Sequence, residues 1–141
     1  MAAVNSRRIL LGALAGGVVW NIWSVILYLT MLGKRYTAAQ EAGSYLKQPR
    51  YPAFPAMWII LLFILAYIVS WLYASARATR GASAGTAITI GLLVGFAAGF
   101  PSALANSVWG PYTRFIPLGQ LLEMWVGAIL ATLVAGWIYR D

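Results

Sequence analysis

Between Arg8 and Lys34 the chain carries no charged residue, and the stretch from Ile9 to Gly33 is apolar along nearly all of its length. A helix needs about 20 such residues to cross the hydrocarbon core of a bilayer. Lipid supplies no hydrogen bonds, so a segment that enters it must satisfy its own backbone, which an α-helix does. Charges divide the rest of the chain in the same way. Spans are predicted at about residues 9–33, 55–76, 84–106 and 116–139, with an interfacial loop over 34–54. Only 9% of the 141 residues are charged, whereas soluble domains carry about 25%. The sequence therefore predicts an all-α, polytopic membrane protein. Its four transmembrane helices form one compact bundle, a single membrane domain over 1–141.

The span ends carry recognisable punctuation. Pro55 suits a first helical turn, Arg77 closes the second span, and "NSVWGPYT" (106–113) holds the turn residues that end the third. A cleaved signal peptide is a rival for the first span, because Arg7 and Arg8 precede Ala13-Leu14-Ala15. The apolar stretch before that site is too short for a signal core and the apolar run continues past it, so a true span is expected. Four spans place both termini on one side. Arg7, Arg8, Arg77, Arg80 and Arg140 lie on that side, against Lys34, Arg35, Lys47, Arg50 and Arg114 on the other. The tie leaves the positive-inside rule silent. Cytoplasmic termini are expected, since a basic N-terminus then needs no translocation.

In the long loop, "TAAQ" (37–40) has the Thr-x-x-Gln form of a capping box and predicts a short helix through about Lys47. The stiff "QPRYPAFP" (48–55) follows. With Tyr36, Tyr45, Tyr51 and Phe54, the loop is expected to lie along the headgroups, with a binding lid as the sharper alternative.

At 100° per residue, Leu11, Leu14, Val18, Ile22, Val25 and Leu29 share one arc of the first span, which is expected to face lipid. Ala13, Gly17, Asn21, Ser24 and Tyr28 share another, and Gly12, Gly16, Trp20 and Trp23 form a stripe beside it. Asn21 is thus expected to face protein and to bond across to another helix, a contact that averages about 0.6 kcal/mol. In the third span Gly91, Gly95 and Gly99 recur at i+4, and Ala84, Ala87, Ser102 and Asn106 extend their face. Such small residues admit a second backbone or a flat ring. Trp20 or Trp23 is expected to seat in that glycine groove. In the fourth span Glu123, Gly127, Ala131 and Ala135 repeat at i+4. The second span, "MWIILLFILAYIVSW" (57–71), is the greasiest and is expected to have the most lipid contact.

A faint internal repeat links "MWIILLFILAYIVSWLYASAR" (57–77) to "MWVGAILATLVAGWIYR" (124–140), each following a glycine-rich span. It suggests two similarly oriented helical hairpins, related by an axis along the membrane normal.

Glu123 is the one charge inside a span, about five residues and roughly 8 Å deep. An intramembrane carboxylate is a candidate functional group, because an unpaired charge there costs about 2.5 kcal/mol or more. It is a candidate proton or cation site, with Gln120, Asn106, Asn21 and Tyr112 as neighbours. The competing expectation is structural pairing with Lys34, Arg35 or Arg114, helped by the nearby helix N-terminus.

Other chemistry is scarce. The chain has neither cysteine nor histidine, which removes thiolate and imidazole catalysis and the corresponding metal ligands. Its three acids are far apart, so no enzyme and no cofactor is expected. The net charge of +7 comes from bases at span ends, which fits anionic headgroups and not nucleic acid.

"GLLVGFAAGFPSALANSVW" (91–109) followed by "LLEMWVGAILATLVAGW" (121–137) resembles the C-terminal half of small bacterial four-helix membrane proteins grouped as a domain of unknown function. The shared pattern is a glycine-rich third helix, a Gly-Phe-x-x stretch, a polar turn and a fourth helix with a small-residue face. The resemblance implies a bacterial inner-membrane location and carries no activity. In size and helix count the chain is also similar to small multidrug-resistance transporters. Those carry an essential glutamate in the first helix, where this chain has no acid. Two functions are therefore expected as alternatives. One is a non-catalytic membrane protein acting through helix packing, as an accessory subunit of a larger complex or as a homo-oligomer. The other is a small proton- or cation-coupled transporter using Glu123.

Overall fold

The computed structural model describes residues 4–139, and no β-strand occurs among them. Helix α1 (Ser6–Leu27) opens at Asn5, whose side chain accepts from the Arg8 N–H at 3.1 Å. An Asn at that position fills one of the four unpaired N–H groups that every helix start exposes. The helix does not stop near Gly33. It widens through one π-turn, Tyr28–Leu32, and continues as α2 (Gly33–Glu41). The joined helix of 36 residues is about 54 Å long at 1.5 Å per residue, well beyond a hydrocarbon core of about 30 Å. Its last turns therefore stand in or above the headgroups.

The expected capping box is not one. Thr37 lies inside the running helix, where its hydroxyl donates to Gly33 O at 3.1 Å. A helix that is already propagating needs no new cap. It ends at Glu41, short of Lys47, because Gly43 takes a left-handed conformation at φ +78°, which glycine adopts without steric cost. The connecting loop thus shrinks to residues 42–53.

Helix α3 (Phe54–Arg80) carries Pro55 in its first turn and Arg77 and Arg80 in its last, and Gly81 at φ +84° ends it. The bases sit where the helix dipole favours cations. Ser83 then caps α4 (Ala84–Trp109), its hydroxyl accepting from the Thr86 N–H at 3.1 Å. Helix α5 (Phe115–Ile138) completes the chain. The joined α1–α2 helix, α3, α4 and α5 are each long and apolar enough to cross a membrane. The protein is a polytopic membrane protein of four transmembrane helices in a compact bundle. Its two ends meet, with the Asn5 N–H donating to the Tyr139 hydroxyl at 2.9 Å.

Helix α5 is the hub. It packs against α1, α3 and α4, whereas α4 approaches α3 only lightly and no Cα of α4 comes within 8 Å of one in α1. The hairpins α1–α3 and α4–α5 both exist, but α3 and α5 are not equivalent, since only α5 is enclosed. Its buried face runs through Gly119, Glu123, Gly127, Ala131 and Ala135, the small-residue row read from the sequence. On α1, the arc of Leu11, Leu14, Val18, Ile22, Val25 and Leu29 is exposed, as expected of a lipid-facing surface. Outward apolar area is not special to α3. Helix α4 presents Leu93, Phe96, Leu104 and Val108 to the bilayer as well, because it has a partner on one side only.

Gly91, Gly95 and Gly99 of α4 are turned inward, but their partner is not the one expected. A Cβ on Gly91 would stand 2.5 Å from Ile129 Cα, and one on Gly95 would stand 2.7 Å from Trp125 Cα. The groove receives the backbone of α5, which lies between α4 and the tryptophans of α1. Trp20 instead lies against Gly127, and the Gly12–Gly16 face of α1 meets Ala135 and Ala131. In lipid, dispersion and close approach hold helices together where water would have supplied a hydrophobic drive. Each of these backbone-to-backbone contacts depends on a missing side chain.

Candidate functional site

Glu123 lies on the third turn of α5, facing α1 and α3, and is 6% exposed. Its Oε1 accepts two hydrogen bonds, one from the Ser24 hydroxyl of α1 and one from the Trp58 indole of α3 at 3.0 Å. The same turn of α5 accepts two more indoles at its backbone. Trp20 Nε1 donates to Glu123 O and Trp23 Nε1 to Leu122 O, both at 3.0 Å. Three tryptophans from two helices thus converge on one turn of a third. Trp20 is fully buried, and indole is suited to the place, since its N–H needs one acceptor and the rest of the ring is apolar. A fourth indole, Trp125 on α5, donates across to Leu92 O of α4 at 3.0 Å. This answers why tryptophan occurs in mid-span: its N–H bonds to a neighbouring helix while its ring fills the space beside a glycine.

The neighbours read from sequence are not the ones assembled. Gln120 lies one turn before Glu123, but its amide donates to the Tyr36 hydroxyl at 3.1 Å. Asn106, half-buried near the end of α4, does not join the carboxylate, because the glutamate faces α1 and α3. Asn21 is half-buried and donates to Gly17 O of its own helix at 2.8 Å, not across to another. No basic group pairs with Glu123 among the described residues. Arg35, expected as a partner, donates to Met31 O at 2.5 Å and stands 4.8 Å over the Phe115 ring.

Ser24, Trp58 and Tyr36 are the site residues that sequence alone did not single out. Ser24 was within reach, sharing a wheel arc with Asn21. Trp58 reads as an ordinary interfacial aromatic near the start of its span. Its depth was the available signal, since it enters the membrane from the same side as Glu123.

Above the glutamate, toward the end opposite the termini, lies a group of phenols. Tyr36 meets Tyr45 edge-on at 5.6 Å, and Tyr45 stacks on Tyr112 at 4.9 Å with an interplanar angle of 20°. Ser44 ties the loop down by donating to Pro111 O at 3.0 Å. Burial, helped by Tyr112, pushes the Tyr45 phenol up to about 12. Tyr36 and Tyr45 thus turn inward over the bundle, while Tyr51 and Phe54 remain exposed. At the opposite end, Arg77 Nη1 donates to Tyr139 O at 2.8 Å and its guanidinium lies 4.7 Å over that ring.

No family model, no curated protein and no solved structure matches this chain. The geometry of the site is accordingly the ground for a functional reading.

Proposed function

We propose that the protein is a non-catalytic integral membrane protein that acts through helix packing, as an accessory subunit of a larger membrane complex or as a homo-oligomer. Its setting is a bacterial inner membrane with both termini in the cytoplasm. Anionic headgroups meet the bases at its span ends, and neither a cofactor nor nucleic acid enters the reading. One observation carries it: three indoles and a serine hydroxyl in the membrane interior fix helix against helix. Trp20, Trp23 and Trp125 donate to backbone carbonyls of neighbouring helices, and the Ser70 hydroxyl of α3 reaches Ile9 O of α1 at 2.9 Å. The broad outward apolar faces of α3 and α4 supply the area for lateral contact. Isolation from native membranes in mild detergent tests this. A complex of fixed stoichiometry or a defined homo-oligomer is expected, and a lone monomer contradicts it.

A second reading, a small proton- or cation-coupled transporter using Glu123, is favoured by a different observation. The buried carboxylate has no cationic partner among the described residues, and only one of its oxygens accepts a hydrogen bond. Equal proton-linked cation fluxes through the parent protein and Glu123→Gln in proteoliposomes exclude this reading.

A further inference from the structure

We propose that Glu123 is a proton-binding site reached from the face opposite the termini, by way of Gln120 and the Tyr36 phenol. The inference goes beyond the packing function, because a proton held here is compatible with a subunit, an oligomer or a transporter.

The first ground is the asymmetry of the carboxyl group. Oε1 takes both donors, Ser24 and Trp58, and Oε2 takes none. Among the described residues no fully buried side-chain polar atom lacks a partner, so Oε2 is not sealed off. A neutral carboxylic acid has this form, with a carbonyl oxygen that accepts twice and a hydroxyl oxygen that carries the proton. Loss of that proton to a base on the aqueous side leaves a carboxylate, with Ser24 and Trp58 still donating to Oε1. Gain reverses the step, and no other bond changes.

The second ground is the contrast between the two directions out of the site. Toward the termini, Trp20, Ala66, Val69, Ala128 and Ala131 pack together, and the buried hydroxyls beside them, Ser70 and Thr132, are each spent on a backbone carbonyl, Ile9 O and Ala128 O. Fifteen residues of α5 separate Glu123 from Ile138 on that side, about 22 Å of helix. In the other direction only eight residues lead back to Phe115, about 12 Å. Gln120 and Tyr36, hydrogen-bonded to each other, lie on that shorter route, and Tyr45 and Tyr112 continue it. Amide and phenol groups can carry a proton-linked hydrogen-bond chain, and alkyl side chains cannot.

The third ground is the neutrality of the surroundings. Helix α1 presents Trp20, Trp23 and Ser24 to the glutamate and α3 presents Trp58. Helix α2 contributes the Tyr36 phenol, α5 contributes Gln120, and no ion pair to Glu123 occurs among the described residues. With no fixed charge beside it, the state of this carboxyl is set by exchange with solvent on its open side.

The Trp58 indole bonded to Oε1 is a built-in reporter. The full chain is reconstituted in liposomes, its orientation is read from protection of a C-terminal tag, and tryptophan emission is followed as pH is changed. A single titration is expected, absent in Glu123→Gln and silent in Trp58→Phe. Trp58→Phe keeps a pH-dependent carboxylic-acid C=O band in infrared difference spectra, so the proton remains visible if Glu123→Gln does not fold. A pH jump on the face opposite the termini is expected to move the signal at least tenfold faster than one on the terminal face. Tyr36→Phe combined with Gln120→Leu removes that advantage. A flat emission profile together with no titrating carboxyl band overturns the proposal, as does equal response to jumps on the two faces.

Discussion

The Trp58 indole of α3 and the Glu123 carboxyl of α5 are joined by a 3.0 Å hydrogen bond inside the membrane-spanning part of the bundle. The two residues are 65 apart in the chain, so the bond fixes the packing of two helices that are not sequence neighbours. Its acceptor is the one buried acid among the described residues, Glu41 being exposed at the end of α2. Trp58→Phe keeps most of the ring volume and removes the donor. We expect it to lower stability by about 0.6 to 1.7 kcal/mol, the range of interhelical hydrogen bonds in lipid. Unfolding in mixed micelles against an SDS gradient checks this, and an unchanged midpoint counts against the bond.

Glycines on α4 differ sharply in what they tolerate. Gly91→Ala and Gly95→Ala place a methyl against backbone atoms of α5, at 2.5 and 2.7 Å, so a helix has to move and both variants should melt well below the parent. A methyl on Gly85 meets nothing closer than the Ser83 hydroxyl at 3.6 Å. Gly85→Ala is therefore expected to be neutral or slightly stabilising, since alanine is the better helix former by up to about 1 kcal/mol. Thermal melts of the three variants decide the matter by their order.

Gly127 and Trp20 form a coupled pair. A Cβ on Gly127 would clash with the Nε1 edge of the Trp20 indole, and the ring cannot withdraw without losing its bond to Glu123 O. Gly127→Ala should thus be strongly destabilising, and Trp20→Phe should be milder. Adding Trp20→Ala to Gly127→Ala should recover part of the loss. A double-mutant cycle on melting midpoints checks the coupling, and strict additivity contradicts it.

Tyr45 gives a pH prediction outside the spans. Its folded value stands near 12 against an ordinary 10.0, so the folded state holds this proton more tightly than the unfolded chain does. The docking it contributes is complete below pH 10 and is lost as pH rises toward 12. Loosening of the loop over 42–53 should follow alkaline titration in that window, read by proteolysis between Ser44 and Arg50. In Tyr45→Phe the alkaline step is expected to disappear.

Much of this architecture could be read from the chain. Apolar runs bounded by bases marked four spans, and the exposed arc from Leu11 on α1 to Leu29 in the π-turn was legible as a wheel pattern. So was the small-residue row of α5, because lipid-facing and helix-facing positions differ in side-chain size. Pairing was not legible. A glycine groove on α4 states that something approaches closely, but it does not state whether a ring or a backbone does, and α5 turned out to fill it. The site was half legible for the same reason. Glu123 stood out as a lone carboxylate, whereas Ser24 and Trp58 became its donors through the way α1 and α3 pack on α5. Thr37 and Gln40 matched a capping box in spelling only, since a helix arriving from upstream overrides a local start signal.

The placement of α5 between α1 and α4 is tested most directly by disulfide cross-linking, and the chain's lack of cysteine leaves a clean background. A Cβ built on Gly16 lies 3.4 Å from Ala131 Cβ, close to disulfide geometry. No Cα of α1 lies within 8 Å of a Cα of α4. Oxidation of Gly16→Cys with Ala131→Cys in native membranes should give an intramolecular bond, and Gly16→Cys with Ala87→Cys, on the same face of α4 as its glycines, should give none. A bond in the second pair and none in the first would mean that α1 packs on the glycine groove of α4, and the account of α5 as the hub would be wrong.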